Sequence, residues 1–233
     1  MKQNGVILET RNLTKKIGKD LILKDISFSI PNGSICGLLG PNGAGKSTFL
    51  KLISKMLRPT AGNIFFKGEE LSYNHLNFIG SLIEAPALYE NLTAEENLRI
   101  YTLQLGLKDE RIKETLDLVD LTNTMNKRVF EFSLGMKQRL GIAKTLINKP
   151  EFLILDEPTN GLDPLGIKLF RNLIHNLSRQ GVSILISSHL LKEMEDLIDY
   201  VGIMAGGELK YQGKFNTGNN LENLFINVFN STL

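Results

Sequence analysis

From Gly40 to Thr48 the chain reads "GPNGAGKST", which satisfies G-x-x-x-x-G-K-[ST] at Gly40, Gly45, Lys46 and Ser47. Gly40, Pro41, Asn42, Gly43, Ala44 and Gly45 form a loop whose glycines let successive backbone N–H groups turn toward a phosphate. Lys46 supplies a point charge, Ser47 offers a hydroxyl to Mg²⁺, and Thr48 completes the phosphate-binding run. This is nucleotide-binding chemistry. Kinases, GTPases and ATPases all use such a loop, so it leaves the reaction open.

A second group with chemical potential is the acid pair in "FLILDEP". Asp156 and Glu157 stand at the end of an apolar strand, where an open parallel sheet places its ligands. Adjacent residues on an extended chain point to opposite sides, so the two carboxylates can divide the work. Asp156 is placed to hold the hydrated Mg²⁺ that Ser47 also touches, and Glu157 to polarise an attacking water.

These groups need a scaffold that brings them together. "SICGLL" before the loop reads as a fully buried strand, and Phe49, Leu50, Leu52, Ile53, Met56 and Leu57 after it recur at helical spacing. Earlier, "VILETRNL" and "ILKDISFSI" alternate as strands of a hairpin. "GNIFFKGEEL" reads as a short strand pair. Residues 92–145 read as a mostly helical subdomain that opens on a capping box from Thr93 to Glu96. Then "EFLILDEP" and "SILISSH" flank a helix from Pro164 to Arg179, as in βαβ units with a parallel sheet. A hairpin, "VGIMAGGELKYQG", and a short helix, "NLENLFINVF", close the pattern over a single domain of residues 1–233.

Composition narrows the partners. Lys+Arg total 27 against Asp+Glu 25, and a net charge of +2 gives no nucleic-acid or anionic-membrane signature. No nucleic-acid partner is expected. The N-terminal "MKQNGVILETRNLTKK" lacks a signal-peptide core, and no run reaches the length of a membrane helix, about 20 apolar residues. The single cysteine, Cys36, lies in an apolar run and suits a buried thiol in a reducing cytoplasm.

Between the two chemical motifs lies "EFSLGMKQRLGIAKTLI". A serine capping a helix and followed by glycine presents a hydroxyl, N–H groups and a dipole to an anion. Here the sequence resembles the ATP-binding subunits of ABC transporters, with "FSLGMKQR" standing where that family carries a Leu-Ser-Gly-Gly-Gln signature. Ser133 and Gly135 match, whereas Phe132, Leu134 and Met136 depart from it. "NGLD", Asn160 to Asp163, resembles the D-loop, and His189 after "LISS" resembles the switch histidine.

The resemblance runs from about Ile7 to Gln212 and implies an α/β P-loop NTPase core with a mixed, largely parallel sheet, an antiparallel β subdomain and a helical subdomain. It implies ATP and Mg²⁺ as ligands and Lys46, Glu157 and His189 as catalytic groups, with His189 on the γ-phosphate. It further implies a second copy whose Ser133, Gly135 and Met136 complete the ATP site in trans, Asp163 as the coupler between sites, and separate transmembrane permease subunits. The expected location is peripheral, on the cytoplasmic face of the membrane. A small-molecule kinase would need an acceptor pocket, and soluble ABC proteins of translation or DNA metabolism usually fuse two ATPase units or insert a coiled coil.

Two positions depart from the family. Ile17 stands where an aromatic residue usually stacks on adenine, which implies weakened discrimination between ATP and GTP. Glu84 replaces the Q-loop glutamine and is the only charged residue between Phe78 and Tyr89. A carboxylate there either meets something positive, with Mg²⁺ the expected partner, or sits on a solvated loop edge. This substitution, with "APALYENLTAEENL" after it, resembles the subfamily that exports lantibiotics or bacitracin and protects its host. The alternative is another exporter of drugs, lipids or ions.

Overall fold

A computed structural model describes residues 5–216, 218 and 220–230. In chain order the elements are β1 (Val6–Ile17), β2 (Asp20–Pro31), β3 (Ile35–Leu39), α1 (Lys46–Ile53), β4 (Ala61–Phe66), β5 (Glu69–Glu70) and β6 (Ile79–Leu82). They continue with α2 (Ala94–Leu105), α3 (Glu110–Leu118), α4 (Leu134–Leu146), β7 (Phe152–Asp156), α5 (Pro164–Arg179), β8 (Ser183–Ser188), α6 (Leu191–Met194), β9 (Tyr200–Ala205), β10 (Glu208–Lys214) and α7 (Leu221–Asn230).

The strands form two sheets. An antiparallel sheet runs β2-β1-β4-β5, and a six-stranded sheet runs β10-β9-β3-β8-β7-β6. Within the larger sheet β6, β7, β8, β3 and β9 are parallel, and only the β9–β10 pair is antiparallel. Every residue of β3, β7 and β8 is buried, as expected for parallel strands covered on both faces. Alternation along β3 and β7 divides the core. Cys36, Leu38, Phe152 and Ile154 pack toward the antiparallel sheet and α1, whereas Ile35, Leu39, Leu153 and Leu155 pack toward the helices. Burial pushes the Cys36 thiol pKa far up, with the Asp199 carboxylate adding to the rise, so the thiol stays protonated and unreactive.

Helices α2, α3 and α4 occupy the segment expected to be helical, and their apolar faces join the same cluster as one side of the parallel sheet. The capping box forms: Thr93 N–H donates to Glu96 at 2.8 Å, and Glu96 N–H donates to the Thr93 hydroxyl at 3.1 Å. Helix α5 has the bounds read from the sequence. Its N-cap is Asp163, which accepts from Gly166 N–H at 2.8 Å, and Pro164 follows in the first turn.

Three features differ from the sequence reading. Helix α1 ends at Ile53, so Met56 and Leu57 lie beyond it; Lys55 adopts a left-handed φ of 57°, which stops the helix. Residues 73–78 form a 3₁₀ turn, and β6 extends the parallel sheet at its edge. Short α6 follows β8.

Edge strand β6 meets α4 through glycines. A Cβ on Gly80 would lie 2.6 Å from the Thr145 carbonyl oxygen, and one on Gly141 would lie 2.5 Å from Pro86 Cβ. Replacing Gly141 by Ala is therefore expected to destabilise the protein by about 1–3 kcal/mol, measured as a lowered midpoint in chemical denaturation. An unchanged midpoint would mean that Pro86 moves aside freely.

Candidate active site

The phosphate loop leaves the C-terminal end of β3 and enters α1. Gly43 and Gly45 have φ of 79° and 101°, the left-handed region that glycine reaches without strain. A Cβ on Gly45 would lie 2.6 Å from Leu23 Cδ2. The loop is one wall of a cleft of about 450 Å³, and Glu157, Asn160 and His189 stand on the other side. Pro41, Asn42, Ala44, Ser47 and Thr48 also line this cleft. Gly40 lies just behind, buried, because its missing side chain lets the loop pass the Met204 carbonyl.

Lys46 is the most buried charge here, with 6% of its side chain exposed. Its ammonium donates to the carbonyls of Gly40 at 2.7 Å and Pro41 at 3.3 Å, and it lies 3.3 Å from Glu157 Oε1. The other Glu157 oxygen is 2.8 Å from His189 Nδ1. A carboxylate at that nitrogen favours the tautomer with the proton on Nδ1. Lys46, Glu157 and His189 thus form one connected row.

Asp156 is buried and accepts from the Ser187 hydroxyl at 2.5 Å. Glu157 has a left-handed φ of 46°, and this reversal directs its carboxylate into the cleft while Asp156 remains in the sheet. The two acids therefore part through the left-handed turn at Glu157 and not through strand alternation, since β7 ends at Asp156. Among the described residues no group of three or more His, Cys, Asp or Glu side chains could hold a metal. The available oxygen donors, the Ser47 hydroxyl and the Asp156 carboxylate, suit Mg²⁺, which binds through few protein ligands and takes phosphate oxygens and water for the rest.

The other expected residues lie outside this cleft. Ser133 is exposed at the N-cap of α4, where its hydroxyl accepts from Met136 N–H at 3.3 Å. Gly135 faces Leu162, and Leu134 packs against Gly161, so this helix end rests on the segment leading to Asp163. Ile17 is exposed at the β1–β2 turn. It is Ile22, not Ile17, that lines the cleft; nothing in the composition of "LILKD" sets that residue apart.

Glu84 finds a partner other than the expected metal. Its carboxylate lies 2.5 Å from the Lys51 ammonium, on α1 one turn beyond Ser47, and 67% of its side chain is exposed. Glu84 thus lies in solvent at a loop edge, and the cation it meets belongs to the protein itself. Its own φ of 67° turns the chain sharply after β6.

The family model described as "ABC transporter" matches residues 23–160, which hold the phosphate loop, the Ser133 helix and the acid pair. This chain belongs to the ABC transporter family. A second model, described as "AAA domain, putative AbiEii toxin, Type IV TA system", matches residues 126–195. The ABC subunit is 46% identical over 221 residues to the lantibiotic transport ATP-binding protein SrtF of Streptococcus pyogenes, covering 95% of this chain and 96% of that one. It is 47% identical over 210 residues to the bacitracin transport ATP-binding protein BcrA of Bacillus licheniformis, covering 88% and 69%. A solved structure titled a dimeric post-hydrolysis state of the ATP-binding cassette MJ0796, bound to ADP and Pi, superposes with a TM-score of 0.79 at 26% identity, covering 90% of this chain and 99% of that one. This chain is therefore an ABC ATPase, an ATP-binding subunit that couples hydrolysis to transport. Subunits of this family pair with one another and act with permeases.

Proposed function

We propose that this ABC ATPase powers export of a lantibiotic or bacitracin-like peptide and so protects the cell that carries it. The observation that supports this most is the 46% identity to SrtF across nearly the whole of both chains. Glu84 beside α1, in place of the family glutamine, agrees with it.

In this reading two copies dimerise head to tail. The phosphate loop of one copy binds ATP, and Ser133, Gly135 and Met136 of the other close over it. Exposure of Ser133 away from its own cleft favours such an arrangement. Lys46 and the loop N–H groups neutralise the phosphates. Ser47 and Asp156 would hold Mg²⁺, which would supply charge neutralisation for the phosphates, and Glu84 would join them only by leaving Lys51. Glu157 orients water, His189 meets the γ-phosphate, and Asp163 couples the two sites. No helix among the described residues is long and apolar enough to cross a membrane. In this reading separate permease subunits form the substrate path, with this subunit on their cytoplasmic face.

The test is to express this subunit with its permeases in a lantibiotic-sensitive host. Tolerance that rises with the wild type and returns to baseline with Glu157→Gln is expected; tolerance unchanged by the wild type would overturn the peptide substrate.

In this reading exposed Ile17 lies against the base and can offer it only aliphatic contact. Replacing it by Tyr is expected to raise the preference for ATP over GTP by about 2–10-fold, the effect of about 0.5–1.5 kcal/mol of aromatic interaction. Competition binding with the two nucleotides measures this, and an unchanged ratio would place the base elsewhere, against Ile22.

A further inference from the structure

The sheet register sets Ser187 of β8 directly beside Asp156 of β7. Ser187 is fully buried, and its hydroxyl makes two hydrogen bonds of opposite sense. It donates its one proton to Asp156 Oδ1 at 2.5 Å and accepts the Glu157 backbone N–H at 2.9 Å. The next residue, Ser188, is turned to a different task, accepting Leu190 N–H at 2.9 Å. One hydroxyl therefore touches both members of the acid pair and neither the phosphate loop nor the cleft.

We infer that Ser187 is a positioning residue for the hydrolytic site, fixing the Asp156 carboxylate for the metal and holding the backbone turn that aims Glu157 at the attacking water. This rests on the roles proposed above for Asp156 and Glu157. A carboxylate with one oxygen tied by a buried donor can no longer rotate freely, and Oδ2 is left without a hydrogen bond from the described side chains. Outer partners of this kind orient a metal-binding carboxylate. At Glu157 the requirement is different. The residue has a left-handed φ of 46°, which side-chain-bearing residues rarely adopt, and its N–H points into the protein. Ser187 Oγ satisfies that N–H and so favours the turn. Because donation strengthens a hydroxyl as an acceptor, each bond reinforces the other. The serine links metal position to water position without touching either.

The experiment uses the full chain with a non-hydrolysable ATP analogue, and Mn²⁺ as the probe, read by its electron paramagnetic resonance signal. Ser187→Ala is expected to weaken Mn²⁺ binding to the nucleotide complex by about tenfold or more, with analogue affinity measured without metal unchanged. Turnover is expected to fall chiefly in kcat, not in KM. Ser187→Cys, close in shape but a weak donor, is expected to fall between the two. In the Asp156→Asn background, Ser187→Ala is expected to have almost no further effect on Mn²⁺. A wild type whose Mn²⁺ affinity is indifferent to Asp156→Asn would overturn the metal role of Asp156 itself. A wild type that depends on Asp156, with Ser187→Ala or Ser187→Cys binding Mn²⁺ as tightly, would overturn the inference alone. An alanine variant that loses metal-free nucleotide binding to the same degree would reduce Ser187 to a core residue and equally overturn it.

Discussion

Glu157→Gln is expected to lower the ATPase rate by about 10²–10⁴-fold, the usual share of a positioned acid or base, while nucleotide binding is retained. The amide has the size of the carboxylate and can still hydrogen-bond, so the fold around it has little reason to change. What it cannot do is carry the negative charge that polarises water. Glu157 lies 3.3 Å from Lys46 and 2.8 Å from His189. A neutral side chain loosens its hold on Lys46 and frees that ammonium for phosphate, so ATP affinity is expected to stay level or rise. Phosphate release and equilibrium nucleotide binding, measured on the same preparation, separate the two effects. Hydrolysis at the wild-type rate would remove Glu157 from the role of water-positioning group.

Lys46→Ala is expected to act on binding first. A charge-assisted hydrogen bond contributes about 1.5–3 kcal/mol, which corresponds to about 10–100-fold in ATP affinity. The cost to folding is expected to be smaller, because the bonds Lys46 makes go to two loop carbonyls and to Glu157, which keeps His189 as a partner. Titration calorimetry and thermal unfolding of one variant make the comparison. Unchanged affinity would show that the ammonium remains on the Gly40 and Pro41 carbonyls when nucleotide is bound.

Much of this was legible because the relevant signals are local. A glycine loop between a buried strand and an amphipathic helix, an acid pair ending an apolar strand, and a helix bounded by Asp163-Pro164 each carry their structure within a dozen residues. The unread parts depend on distant partners. Lys51 lies 33 residues from Glu84, and only the packing of β6 beside β7 brings its loop over α1. Edge strand β6 spans four residues and includes Gly80, too short for alternation to be seen. The end of α1 turned on the left-handed backbone of Lys55, which no spacing rule records. In the sequence Ser187 is one of two serines before a histidine. Its part depends on the β7–β8 register, a tertiary fact. Ile22 lines the cleft beside the phosphate loop, and nothing in its sequence neighbourhood marks it.

The glycine contact between β6 and α4 has a mechanical meaning. Helix α4 is a rod of 13 residues, about 20 Å long, with Ser133 at its N-cap. Gly141, a little past its middle, bears directly on Pro86, two residues from Glu84. With no side chain in that joint there is no cushion to compress. A methyl group at either glycine would wedge α4 away from β6 and from the loop that carries Glu84, so the spacing of helix and loop is set by two side chains that are not there.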